Sequence, residues 1–285
     1  MVALCMIWGM QQVAAKAVAA DMNPILQIGL RSALAALMVY ALIRWRGERL
    51  SLRDGTLAAG LGVGLLFGTE FLAIAAGLQF TSASHMSVFL YTAPIFTNLG
   101  LHWLVAGERM SKAQWAGVLA AFAGIAVAFS GGLAEAGRAG SEMLLGDALA
   151  ILAGLLWGAT TVLIRYSALS EAPSTTTLLY QLGGAGIIIL GVAIALGQPA
   201  AATMTPMVWS SLFFQTVIVG FVSYLVWFGM LRRYLASRLS AFTFLTPLFG
   251  VAFGVLLLDE SLSIEFCAGA VLVCAGVLMV NLRRR

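Results

Sequence analysis

Long uncharged apolar runs, broken only by short charged stretches, restrict what this chain can fold into. A helix needs roughly 20 apolar residues to cross about 30 Å of hydrocarbon. Ten apolar runs, none holding more than one charged residue, follow one another, at 2–19, 25–43, 56–77, 86–106, 113–130, 145–163, 177–196, 208–231, 239–258 and 264–281. Only 10% of the residues are charged, against about 25% in a water-soluble domain, so a water-facing surface could not be covered. In lipid the backbone must satisfy its hydrogen bonds within each segment. The runs also lack the alternating polarity of barrel strands. The expectation is an all-α polytopic membrane protein with ten transmembrane helices. Cys5, Cys267 and Cys274 all fall inside apolar runs and read as packing residues.

The net charge of +4 comes from basic residues beside the spans, where Lys and Arg set topology. No nucleic-acid partner is expected; membrane lipids and a small-molecule substrate are. With the N-terminus inside, the cytoplasmic loops hold Arg44, Arg46, Arg49, Arg53, Arg109, Lys112, Arg232, Arg233 and Arg238, and the tail adds Arg283, Arg284 and Arg285. The outer loops keep only Arg138. Both termini are therefore expected in the cytoplasm of a bacterial cell, with the chain passing repeatedly through the inner membrane.

The sequence also repeats itself. Trp8-Gly9 returns as Trp157-Gly158 and Pro24 as Pro173. Ala83-Ser84 precedes Pro94 by the interval that separates Ala236-Ser237 from Pro247. Glu108, Gly117 and Gly124 return as Glu260, Gly269 and Gly276. Basic residues follow Glu108 but not Glu260, whereas Arg232, Arg233 and Arg238 replace Gln79, Phe80 and His85. Matching loops carry positive charge in one copy only, and five spans per copy is an odd number. The copies are thus expected to be inverted: residues 1–132, a periplasmic linker at 133–144, and residues 145–285. Inverted repeats suit a site at their interface that opens alternately to either side.

These features resemble the drug/metabolite transporter superfamily, specifically its tandem EamA-domain proteins. The early Trp-Gly pairs, the Ala-Ser before a helix-four proline and the Glu before a Gly-spaced last helix carry the resemblance. Glu70, Tyr91-Thr92-Ala93-Pro94 and Tyr224-x-x-Trp227 resemble the aromatic-amino-acid exporter branch. The resemblance implies a basket of ten helices around a central cavity, export of amino acids or similar metabolites, and a monomer.

Glu70 is the acidic residue read as lying clearly within a span, where a carboxylate is costly unless paired or hydrated. It binds a substrate ammonium, carries a proton, or pairs structurally with Lys16 or Arg31. A cation in a cavity could hold the carboxylate of an amino acid, but these two long side chains read first as snorkelling or pairing. His85 opens span four and can titrate beside a cavity; His102, near the other end, reads as interfacial. Trp8, Tyr91, Trp157, Tyr180, Tyr224 and Trp227 supply ring faces and polar tips to a substrate, or pack. Gln12 offers hydrogen bonds to substrate or to another helix. On a regular helix Tyr224 and Gln215 point to opposite sides, and Tyr224 is preferred for the site. Pro94 and Pro247 are the expected kinks or hinges.

The expected function is alternating-access export of aromatic or other neutral amino acids and related metabolites, driven by facilitated diffusion or proton exchange through Glu70. Multidrug efflux of lipophilic cations by proton antiport is the alternative. Neither a phosphate-binding loop nor a metalloprotease or nucleophile-elbow motif is present, so no cofactor and no enzymatic activity are expected.

Overall fold

A computed structural model describes residues 1–48, 55–104, 110–134, 138–231 and 245–281, and every regular element among them is helical. The helices are α1 (Val2–Ala17), α2 (Pro24–Trp45), α3 (Leu57–Gly77), α4 (Ala83–Leu90), α5 (Ala93–Leu104), α6 (Lys112–Ala134), α7 (Arg138–Tyr166), α8 (Ser174–Ala195), α9 (Gln198–Ala201), α10 (Pro206–Phe213), α11 (Tyr224–Leu231), α12 (Leu245–Leu258) and α13 (Ile264–Asn281). A π-helix, Phe214–Ser223, joins α10 to α11. Among the described residues, five helical stretches are long and apolar enough to cross a membrane, and three shorter apolar helices accompany them. Arg49, Arg53, Glu108, Arg109, Arg232, Arg233, Ala236, Ser237, Arg238 and Arg283–Arg285 lie outside the described residues.

Local chemistry sets the ends of these helices. Asn23 caps α2 by accepting from the Ile25 N–H, with Pro24 at the first helical position, where its missing N–H costs nothing. Ser82 caps α4 through the His85 N–H, and Thr205 caps α10 ahead of Pro206. After α2 the chain turns at Gly47, whose φ of 67° suits a residue without a Cβ.

Span four is two helices rather than one. Pro94 has no N–H to give the carbonyl four residues back, and its ring would press on that carbonyl. The helix stops at Leu90 and restarts at Ala93. The Thr92 hydroxyl caps the break by donating to the Phe89 carbonyl at 2.6 Å. Pro247 stands near the start of α12, and the residues that would form the other side of a kink are not described. The expected linker is helical for much of its length: α6 runs to Ala134 and α7 begins at Arg138. Glycine lowers helix propensity by only about 1 kcal/mol per residue, too little to stop helices extended by apolar neighbours.

The helices interleave across the sequence. α6 lies along α13; α8 packs on α2 and α3; α7 packs on α3, α4 and α5; α12 packs on α1 and α4. Small residues make these approaches close, as expected where lipid removes the hydrophobic drive between helices. A methyl group on Gly117 would lie 2.7 Å from the Gly276 carbonyl oxygen, and one on Gly124 the same distance from that of Gly269. One on Gly9 would meet the Gly250 nitrogen at 2.8 Å, and one on Gly158 the Thr97 nitrogen at 2.9 Å.

The polarity is inverted relative to a soluble protein. Leu37, Leu61, Ile187, Ile194, Leu256 and Val271 are each more than 60% exposed, while Arg31, Glu70, Asp147, Gln27 and Gln215 are buried. An apolar exterior over a polar interior is the arrangement of a multi-pass membrane protein.

Candidate functional site

Glu70 lies on α3 and Arg31 on α2; both side chains are almost wholly buried, at 3% and 1% exposure. Arg31 does not snorkel to an interface but turns inward. Its guanidinium lies over the Phe71 ring, 4.4 Å from the centroid, and Nη1 donates to Oε1 of Gln215 at 3.4 Å. Gln215 is held in turn by a chain of hydroxyl and amide bonds. Its Nε2 and that of Gln27 both donate to Ser211 Oγ, which donates to the Ala14 carbonyl. The chain joins α1, α2 and the α10–π segment.

Glu70, Arg31 and Tyr224 lie within electrostatic reach of one another, and Tyr91 within reach of Glu70 and Tyr224. Even so, no ion pair joins Arg31 to Glu70. Glu70 Oε2 and Arg31 Nε are buried with no hydrogen-bond partner among the described residues, and Gln12 Oε1 is in the same position. Buried charge is expensive unless it is met by partners. Two opposite charges held near each other but not paired form a site with unmet polar demand at both ends.

Aromatic rings add to this site. Tyr91 meets Trp157 edge to face with centroids 5.3 Å apart, and Trp8 meets Trp227 likewise at 5.5 Å. Trp8 Nε1 donates to Ser223 Oγ at 2.9 Å, which fixes one wall. Gln12 stands one turn from Trp8 on α1. Tyr180 does not join this group: its ring lies against Gly60 of α3, ten residues before Glu70, or about 15 Å along the helix.

The opposition between Gln215 and Tyr224 does not hold in the folded chain. Nine residues make two and a half turns of an α-helix, which would separate the two side chains. The wider winding of the π segment brings nine residues closer to about two whole turns. Gln215 bonds Arg31, and Tyr224 comes within electrostatic reach of the same guanidinium. The wheel reasoning failed because no composition signal marks a π-helix in sequence.

A second polar cluster gathers where α3 turns into α4. His85 Nδ1 lies 2.9 Å from Asp147 Oδ2 of α7, and Thr81 Oγ1 donates to Asp147 Oδ1. The imidazole is stacked on Phe266 of α13, with centroids 3.9 Å apart. Asp147 is a second buried acid within a span, which corrects the reading of Glu70 as the lone one. It lies only two residues inside the expected edge of span six, where a carboxylate is easily taken for interfacial.

Glu260 reaches the same corner from beyond α12. Its carboxylate accepts from the Ala83 N–H at 2.7 Å, the Ser84 N–H at 3.0 Å and the Ser84 hydroxyl at 2.5 Å. The preceding Asp259 adopts φ 53°, a left-handed turn in which Asp is tolerated, at the point where the chain leaves α12. Lys16 Nζ donates to the Leu78 and Thr81 carbonyls, where a cation complements the end of a helix. The Ala-Ser and Glu motifs therefore meet in space although they belong to different halves. Sequence spacing alone could not show that.

Two stretches, 1–130 and 144–282, match the model of the EamA-like transporter family. The chain is 27% identical to an uncharacterized transporter of Bacillus subtilis, YoaV, over 98% of this chain and 94% of that one. It is 25% identical to a probable amino-acid metabolite efflux pump of Salmonella typhimurium, covering 95% and 90%. A solved crystal structure superposes with a TM-score of 0.67 at 20% identity, over 98% of this chain. With tandem matches across nearly its whole length and an apolar exterior around a buried polar site, the chain belongs to the EamA-like transporter family, as a multi-pass membrane transporter of small metabolites.

Proposed function

We propose that the chain exports aromatic or other neutral amino acids and related small metabolites across the bacterial inner membrane by alternating access. The observation that carries this reading is that Glu70 Oε2 and Arg31 Nε are both buried without partners, with the Tyr91–Trp157 and Trp8–Trp227 ring pairs, Gln12 and Tyr224 as the proposed walls. Two relatives are named probable amino-acid metabolite efflux pumps, which agrees with that chemistry. Efflux of lipophilic cations is less favoured, because Arg31 places a positive charge within reach of the same carboxylate.

The proposed architecture is ten spans in two inverted five-helix repeats, with both termini cytoplasmic and the protein acting as a monomer. Packing supports the inversion. Gly117 meets Gly276 and Gly124 meets Gly269; exchanging each glycine for its sequence counterpart returns the same two contacts. Gly9 against Gly250 likewise corresponds to Gly158 against Thr97. The helices α6 and α13 run antiparallel in these contacts, so the relating axis lies across them, as inversion requires. In this reading the break before Pro94 is a hinge, Pro247 at the matching place in the second repeat is another, and the Glu260 contact with α4 closes one mouth of the site.

Counterflow of labelled phenylalanine and leucine in proteoliposomes, with and without a pH gradient, tests the function. Saturable flux that Glu70→Gln removes is expected. Flux of a lipophilic cation without flux of either amino acid overturns the reading.

A further inference from the structure

We infer that the site reads both charged ends of a zwitterion: Arg31 and Gln215 take the α-carboxylate, and Glu70 takes the α-ammonium. The inference rests on the proposed amino-acid function and narrows it to molecules that carry both charges on one carbon.

The argument begins with what the site lacks. Two buried, opposite charges within electrostatic reach would ordinarily close into an ion pair, since each lowers the cost of burying the other. Here the guanidinium is held by other groups. Arg31 is clamped between the Phe71 face and the Gln215 amide, and Gln215 is fixed through Ser211 to the Ala14 carbonyl of α1. Those bonds occupy one edge of the guanidinium and leave Nε without a partner. Glu70 Oε2 is equally unmatched. A guanidinium edge and a carboxylate oxygen are the complements of a carboxylate and an ammonium respectively.

The dipolar arrangement also selects against single charges. A monocation placed on Glu70 leaves Arg31 unmatched and adds repulsion from it. A monoanion placed on Arg31 meets the same difficulty at Glu70. Only a ligand with both charges satisfies both groups, and a site built around buried polar groups rejects ligands that leave one of them unmet. The Tyr91–Trp157 and Trp8–Trp227 pairs leave the side-chain end apolar and ring-lined, open to neutral residues.

The test is equilibrium binding to the full chain in lipid nanodiscs, with phenylalanine, phenylalanine amide, 3-phenylpropionate and phenethylamine as probes. Phenylalanine should bind wild type tightest, with each analogue weaker by roughly ten- to a hundredfold. Arg31→Gln should make phenylalanine and its amide bind equally. Glu70→Gln should do the same for phenylalanine and 3-phenylpropionate. The analogue series on wild type stands even where a variant does not fold. If phenylalanine binds wild type but its analogues bind as well, or folded variants keep the full discrimination, the two-ended reading is overturned while amino-acid transport survives. If phenylalanine does not bind and tetraphenylphosphonium does, the functional reading itself falls.

Discussion

Replacing Glu260 by glutamine should loosen the corner at which α3 turns into α4. The carboxylate is partly buried and accepts three hydrogen bonds, two from backbone N–H groups at the start of α4 and one from the Ser84 hydroxyl. Charge-assisted bonds at a helix N-terminus contribute roughly 1 kcal/mol each once partial solvent exposure is allowed for. Glutamine keeps one acceptor oxygen and loses the charge, so about 2 kcal/mol disappears, or roughly thirtyfold in the ratio of closed to open corner. Spin labels at Phe80 and Ser261, both exposed beside the contact, would report it in a background lacking the native cysteines. The parent should give one dominant interlabel distance by double electron–electron resonance. Glu260→Gln should add a longer population of comparable size or larger. An unchanged distribution would refute the reasoning, because the contact would then hold nothing closed.

Other consequences are separable from this one. His85→Ala leaves the Asp147 carboxylate buried without its imidazole partner and should destabilise the protein by about 2 kcal/mol or more, read as a lower melting temperature in detergent. Asp147→Asn removes the buried carboxylate itself and should cost less, so equal losses would argue against an unmet carboxylate as the cause. Gly117→Ala puts a methyl group 2.7 Å from the Gly276 oxygen and should cost about 1–3 kcal/mol; Gly183→Ala, with open space around it, should be close to neutral in the same melt. Gln215→Leu should weaken amino-acid binding about tenfold by freeing the guanidinium from its clamp, without loss of folded protein on size exclusion.

The helical, multi-pass character was legible because one physical demand, satisfying the backbone in lipid, leaves its mark on every residue of a span. Glu70 was legible for the same reason, as a carboxylate where few can stand. Arg31 was misjudged: a long cation near a span end looks the same in sequence whether it snorkels or turns inward. Only its stacking on Phe71 and its bond to Gln215 decide that. Tyr224 and Gln215 were set on opposite sides because the wheel assumed 3.6 residues per turn across a π-helix. Glu260 was visible as a repeat marker without a role, since its partners at Ala83 and Ser84 are brought to it only by packing between halves.

Exposure of the site to each side of the membrane is the most direct test of alternating access at Glu70 and Arg31. Tyr224→Cys, in a chain whose Cys5, Cys267 and Cys274 are replaced by serine, would be challenged with a membrane-impermeant thiol reagent in right-side-out and in inverted vesicles. The account predicts modification from both sides, with phenylalanine protecting in each orientation. Modification from one side alone, however long the exposure, would contradict it.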